Sequence, residues 1–382
     1  MIYLDNAATS WPKPDQVGRA MVKFLDEIGA NPGRSGHRLS IGAARTVYQA
    51  REAVAEVFNA PDPLRVIFTH NATEALNLAL KGLLRPGDHV VTSSMEHNAV
   101  MRPLRALETQ GVGVSVVPCA SEGDLKPAQI ESALQDNTVL IVLTHASNVT
   151  GTVLPVQQVG EIANRRGVLF LTDEAQTGGA FPVDMQSDRI DMLAFTGHKS
   201  LYGPTGTGGL ILGSRVDPDR IAPLVYGGTG SRSEMEEQPK FLPDKYESGT
   251  ANAVGLAGLE ASLRWLLVHG VNELWEQETS LHQKLLEGLS NIPRVMIYSC
   301  GEASQSTAVV SFNIGELEPS EVGLRLDDEF GIMARVGLHC APAAHKTIGT
   351  FPRGTVRFSL GAFTTPAQID QALQAVAHIA ST

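Results

Sequence analysis

The sequence predicts an α/β fold, a large unit on a mainly parallel sheet followed by a smaller α+β unit. Three observations predict it. Through most of the first two thirds of the chain, apolar runs of strand length alternate with stretches of helical apolar spacing, the pattern of βα units around a parallel sheet. The alternation stops after a long helical stretch, near Ala253 to Ala257. A chain of 382 residues also exceeds the usual size of one core, so two units are expected.

Each element follows from its local pattern. GAARTVYQAREAVAEVFNA (42–60) carries helical apolar spacing, LRVIFTH (64–70) reads as a strand, NATEALNLALKGLL (71–84) as a helix and DHVVTSS (88–94) as a strand. GVSVVP (113–118), a helix around AQIESALQ, TVLIVLTHAS (138–147), a helix around QVGEIANRRG and VLFLTDEAQ (168–176) continue the series, and DMLAF and LIL add strands. After YESGTANAVGLAGLEASLRWLLVHG (246–270), the segments STAVVSFNI, EVGLRLDDEF, IMARVG, GTVRFSLG and AQIDQALQAVAHIA read as the smaller unit. The predicted division gives 15–255 to the large unit and 1–14 with 256–382 to the small one. The opening segment joins the latter because it lacks the βα pattern. Ligand sites in such sheets sit on the loops after the carboxyl ends of strands.

Composition excludes several function classes. Hydrophobic residues at 43% and charged residues at 19% describe an ordinary globular protein. The net charge of -11, with no dense Lys/Arg block, argues against a nucleic-acid surface. MIYLDNAATSWPKP lacks a basic segment followed by an apolar one, and no apolar run approaches the ~20 residues of a membrane span; a cytoplasmic protein with a small-molecule ligand is expected. The three cysteines, Cys119, Cys300 and Cys340, show no CxxC spacing, so neither a disulfide framework nor a metal site is predicted.

The groups able to carry chemistry follow strands. NATEALN opens a helix whose free N–H groups and Thr73 hydroxyl suit a phosphate, although Asn71 or Thr73 as a plain cap explains the same residues. Asp173, ending VLFLT, is placed to meet a buried cationic ring nitrogen or to cap the next helix. His97 offers a flat ring for stacking or a structural hydrogen bond. Lys199, after DMLAF and a small-residue turn, projects toward the same loops. An amine among cationic or apolar neighbours has a lowered pKa and forms a Schiff base with an aldehyde; the alternative is a solvated surface lysine.

The ordered set ATEALN, EHNA, SNVTGT, TDEAQ, TGHKSLYGPTGTGG, YESGT, RVGLHCAP and VRFSLGAFTT resembles the cysteine desulfurases of the class V aminotransferase superfamily, and selenocysteine lyases with them. The resemblance runs from YLDNAAT almost to the C-terminus. It implies fold type I of the pyridoxal 5'-phosphate (PLP)-dependent transferases, with a large sheet of seven-stranded type. It further implies that Lys199 carries PLP, Asp173 pairs with the ring nitrogen, His97 stacks on the ring, Gln176 bonds the phenolic oxygen and Asn148 lies near that oxygen and the substrate. Ala72, Thr73, Thr196 and His198 would hold the phosphate, with Thr250 reaching in from a second subunit of a homodimer. Asn31 and His37 resemble substrate-pocket positions. Two departures stand out: Ser200 lengthens the HKLYGP form, and Ala72 removes a hydroxyl from the phosphate loop.

Cys340 gains its meaning there. As an arbitrary thiol it reads as buried and inert; in RVGLHCAP it would attack the sulfur of PLP-bound L-cysteine and release L-alanine, with Arg335 and His339 favouring the thiolate. Arg357 would grip the substrate α-carboxylate as a bidentate pair, its alternative being a structural ion pair. The enzyme persulfide would then pass sulfur to an acceptor protein, iron–sulfur cluster assembly being one destination. Cys119 and Cys300 are read as structural. The rival activities on this scaffold are selenocysteine lyase, C–S lyase, and aminotransferase or epimerase, which share Lys199, Asp173 and Arg357 and need no persulfide.

Overall fold

Both faces of the larger sheet are apolar, and this decides its layers. The computed structural model describes residues 1–33, 36–232 and 234–382. The chain opens with β1 (Ile2–Tyr3), α1 (Asp15–Glu27) and α2 (Arg38–Phe58). There follow β2 (Val66–Thr69), α3 (Ala72–Leu83), β3 (His89–Ser93), α4 (Asn98–Glu108), β4 (Gly113–Val117), α5 (Pro127–Ala133), β5 (Thr138–Thr144), α6 (Val156–Arg166), β6 (Leu169–Asp173), β7 (Met192–Thr196) and β8 (Gly208–Leu212). Seven strands pair in the order β2-β8-β7-β6-β5-β3-β4, with β8 antiparallel to both neighbours and the rest parallel. Val91, Ile141, Phe170 and Leu193 point into one core with α1 and α2, whereas Val90, Val142, Leu171 and Ala194 point into the other with α3 and α4. Burial on both faces explains why these strands read as unbroken apolar runs rather than alternating ones.

The second unit comprises α7 (Ala253–His269), α8 (Val271–Ser290), β9 (Val295–Ile297), β10 (Val309–Ile314), α9 (Pro319–Phe330), β11 (Ile332–Met333), β12 (Arg335–Gly337), α10 (Pro342–Thr347), β13 (Thr355–Ser359) and α11 (Pro366–Ser381). Its sheet runs β12-β13-β10-β9 and is antiparallel. The N-terminal segment joins this unit: β1 pairs in parallel with β11 in a separate two-stranded sheet, Ile2 opposite Ile332, and Leu4 is wholly buried among Phe312, Phe358 and Ile379. The division after residue 255 falls within α7. Leu256, Leu259, Leu263 and Leu266 of that helix sit in the core shared with α1 and α2. α8 then carries Leu274 into the same core and Leu281, Leu285 and Leu289 into the smaller one.

Candidate active site

Parallel strands deliver their carboxyl ends to one rim, and the polar groups gather there. Asp173 ends β6, in register with Thr144 on β5 and Ala194 on β7. It is 4% exposed, and its Oδ1 accepts the Ala175 N–H at 3.0 Å. Burial pushes its carboxyl up to about 6, against the pull of Lys199. Past the end of β7, Gly197 and Gly203 close a tight turn, Gly203 N–H donating to Gly197 O at 2.7 Å. A Cβ on Gly197 would stand 2.1 Å from Thr207 Oγ1, so only glycine lets the turn reverse here. That turn carries Lys199 inward. Burial lowers its amine to about 8, Asp173 opposing and the Arg357 and Arg335 charges reinforcing. An amine so placed has an appreciable neutral fraction at neutral pH and is a nucleophile for an aldehyde.

A cavity of about 80 Å³ opens between these two residues. Ala72 and Thr73 line it from the first turn of α3, and His97, Asn148, Gln176, Thr196 and His198 complete its walls. Nine of the residues singled out from sequence therefore share one cavity. At the α3 end both readings of the sequence hold together. Asn71 Oδ1 caps Glu74 N–H at 3.0 Å, while the N–H groups of Ala72 and Thr73 lie where a helix supplies no acceptor. Gly208 of β8 allows that loop to approach, since a Cβ there would lie 2.7 Å from Asn71 Cα. The Thr196 hydroxyl and His198 Nδ1 are buried without hydrogen-bond partners, and burial holds His198 down to about 4. Free first-turn N–H groups, an orphaned hydroxyl and an orphaned ring nitrogen fit a phosphate group.

His97 likewise serves two roles. It caps α4, its Nδ1 accepting the Ala99 N–H at 3.0 Å, so the remaining proton is on Nε2. Burial lowers it to about 4, with Lys199 and three arginines adding to the effect; the ring presented to the cavity is neutral. Behind it Glu96 is fully buried, its carboxyl pushed up to about 8 and held by Ser93 Oγ at 2.6 Å and Thr144 N at 2.9 Å.

Asn148 donates to His339 O at 2.7 Å and Gln176 to Ala7 O at 3.2 Å, tying the cavity wall to the smaller unit and the N-terminal segment. Arg357 on β13 has no exposed surface. Its Nη1 donates to Asn148 O at 2.9 Å and its Nη2 to Asp5 Oδ1 at 2.8 Å, leaving Nε without a partner. The structural ion pair is thus present, and an N–H remains unused.

Cys340 is exposed. It and His339 both have left-handed backbone, φ 60° and 48°, a conformation costing a non-glycine residue ~1 kcal/mol or more. Contacts on all sides hold the loop there. Cys340 O accepts the Asn98 N–H at 2.9 Å, Arg335 Nη2 lies 3.6 Å from Sγ, and His339 Nε2 meets Thr355 Oγ1 at 3.1 Å. Cys119 and Cys300 lie elsewhere, their thiols pushed up by burial.

Five expected site residues do not line the Lys199 cavity: Cys340, Arg357, Asn31, His37 and Thr250. Asn31 and Thr250 are exposed and line a separate groove of about 370 Å³. His37 is exposed and caps α2, Nδ1 accepting Ser40 N–H at 3.3 Å. Conversely, the N-terminal segment holds residues that periodicity does not reveal. His198 O accepts from Ser10 N at 3.1 Å, Thr9 Oγ1 at 3.0 Å and Lys13 Nζ at 2.7 Å, and Lys199 O accepts from Ser10 Oγ at 2.8 Å. Burial lowers Lys13 to about 8. The only hint in the sequence is a dense polar run, DNAATSWPK, with no pattern of its own.

The profile of the family described as aminotransferase class-V matches residues 2–372. The chain belongs to that family. A probable cysteine desulfurase of Methanothermobacter thermautotrophicus is 36% identical over 96% of this chain and 92% of its own length. A cysteine desulfurase of Pectobacterium atrosepticum is 33% identical over 99% of this chain and 93% of its own. The apo structure of a cysteine desulfurase from Thermococcus onnurineus NA1 superposes with a TM-score of 0.93 at 32% identity, covering 100% of this chain and 94% of that one. The family is PLP-dependent. No helix among the described residues is long and apolar enough to cross a membrane.

Proposed function

We propose that this protein is a PLP-dependent cysteine desulfurase that converts L-cysteine to L-alanine and retains the sulfur on Cys340. One observation carries the reading: an exposed thiol on a left-handed loop hydrogen-bonded to Asn98, the residue next to His97 on the cavity rim. A transaminase or simple lyase has no use for a thiol held there.

PLP, when bound, supplies an aldehyde for the substrate amine and an electron-withdrawing ring. Lys199 is the group to attach it, Asp173 the carboxylate to hold its ring nitrogen protonated, and the neutral His97 ring the surface against its face. Ala72, Thr73, Thr196 and His198 would hold the phosphate, with Gln176 and Asn148 at the ring's polar edge. The free Lys199 amine, lowered to about 8 by burial, is suited to take the substrate Cα proton. Arg357 receives the α-carboxylate. Cys340 then attacks the substrate sulfur: an S–S bond forms, the Cβ–S bond breaks, and its electron pair remains with the carbon fragment, which takes up a proton and leaves as alanine. The enzyme keeps a persulfide, which an acceptor protein removes.

The exposure of Thr250 and Asn31 on a groove apart from their own chain's cavity supports a homodimer in which a second copy contributes Thr250. The acidic charge and the few unpaired cysteines support a cytoplasmic enzyme. Mass spectrometry of PLP-loaded protein after L-cysteine tests the chemistry. The Cys340 peptide should gain one sulfur atom as one alanine is released; pyruvate and sulfide with no added sulfur would reject the reading.

A further inference from the structure

Among the described residues, the one ion-pair partner of Arg357 is an acid from the far end of the chain. Asp5 Oδ1 accepts from Arg357 Nη2 at 2.8 Å, and the two side chains are 23% and 0% exposed. Arg335 lies directly opposite Arg357 in the β12–β13 register, and its side chain donates to Cys340 Sγ at 3.6 Å. Two arginines thus lie side by side on adjacent strands, and the one ion pair that either makes with an acid among the described residues is Arg357–Asp5. Arg357 Nη1 is committed to Asn148 O, and Nε is buried with nothing to bind. A planar fork that offers a second N–H beside one already on a carboxylate is matched to an incoming carboxylate.

Asp5 is the member of the pair free to leave. Its backbone is fixed, because Ser359 N–H donates to Leu4 O at 2.8 Å and Asn6 N–H to Ser359 O at 3.4 Å. Its carboxylate nevertheless reaches solvent, so rotation returns that charge to water, whereas Arg357 has no such route. A fully buried guanidinium needs an anion at all times.

We propose that Asp5 is the resting counter-ion of Arg357, displaced by the substrate α-carboxylate, and that this exchange sets the enzyme's affinity for carboxylate-bearing substrates. The inference rests on Arg357 being the carboxylate site of the proposed desulfurase. Binding then replaces one ion pair by another, keeping the buried charge neutralised before and after, and an amine without a carboxylate cannot release Asp5.

Asp5→Asn keeps the volume and a hydrogen-bond acceptor but removes the competing charge. In PLP-loaded protein its KM for L-cysteine should fall about tenfold with kcat changed little. It should melt lower than wild type when unliganded, because Arg357 has lost its anion, and propionate should raise its melting temperature by more than it raises that of wild type. An unchanged or higher KM, together with equal propionate shifts, overturns the proposal. Should the variant not fold, a crystal structure of PLP-loaded wild type with propionate decides. Asp5 must be beyond hydrogen-bond reach of Arg357; retention of the 2.8 Å contact beside bound propionate overturns it. The propionate arm requires no turnover, so it separates this inference from the desulfurase reading, which fails on alanine release instead.

Discussion

Asn98 donates its backbone N–H to Cys340 O at 2.9 Å, binding the thiol loop to the helix end that His97 caps. Two elements 242 residues apart in sequence (340 − 98) meet through one hydrogen bond. The small core of Met95, Val149, Ala341, Ala344 and Ile348 packs beside it. The thiol is exposed yet held in place, as a nucleophile must be to meet the same sulfur atom in each turnover.

Asn98→Pro tests that tie. Asn98 is the first residue of α4, where proline is tolerated, and His97 already has φ -67° and ψ 157°, a backbone compatible with a following proline. The variant deletes that N–H together with the half-buried Asn98 side chain, and Asn98→Ala, which keeps the N–H, is its control. Stability should change by ~1 kcal/mol, alanine production should fall about tenfold, and alkylation of Cys340 by iodoacetamide should speed up. Unaltered turnover and alkylation would show that the hydrogen bond does not position the thiol.

Thr196→Val tests the phosphate site. The Thr196 hydroxyl is buried without a partner, a situation that costs ~1 kcal/mol or more. Valine of similar shape removes it. Without PLP the variant should melt at or above the wild-type temperature, and PLP titration should show affinity about tenfold weaker. A loss of unliganded stability would mean that the hydroxyl has a structural partner instead.

The residues Lys199, Asp173, His97 and the turn at Ala72 and Thr73 are legible in sequence because each follows an apolar strand, and a parallel sheet brings such ends to one rim. Their neighbours are harder to read. Asp5 meets Arg357 across 352 positions, and Lys13 meets His198 across 185, in a segment without periodicity. Pro103 lies inside NAVMRPLRALE, which nevertheless forms α4 with Ala99, Val100, Pro103, Leu104 and Leu107 buried along one face; the proline, a helix breaker, masks the helix that His97 caps. α7 reads as the start of a new unit because the βα alternation ends there. Packing assigns its leucines to the older core, a choice local pattern does not encode. Asn31, His37 and Thr250 show the converse case: resemblance names them, whereas within one chain they are exposed and do not line the cavity.

A buried acid outside the site gives a pH signature. Burial pushes the Glu278 carboxyl up to about 8, with Tyr202 donating to it at 3.4 Å. The folded protein keeps a proton that the unfolded chain releases above the ordinary carboxylate range, 4.5. This stabilising contribution is complete below 4.5 and is lost as pH rises through about 8. Between pH 6 and 8, wild type should lose about 2 kcal/mol that Glu278→Gln retains. Denaturant melts at the two pH values measure it, and parallel losses in both proteins would show Glu278 ionised throughout.

The most direct measurement is alanine release from L-cysteine plus a reductant by PLP-loaded wild type and Cys340→Ala. Cys340 is exposed, so the variant should fold and keep its PLP absorbance band. The account predicts that wild type turns over and that the variant loses at least ~100-fold of its alanine production, the persulfide having no sulfur atom on which to form. Equal alanine release by the two proteins would contradict it.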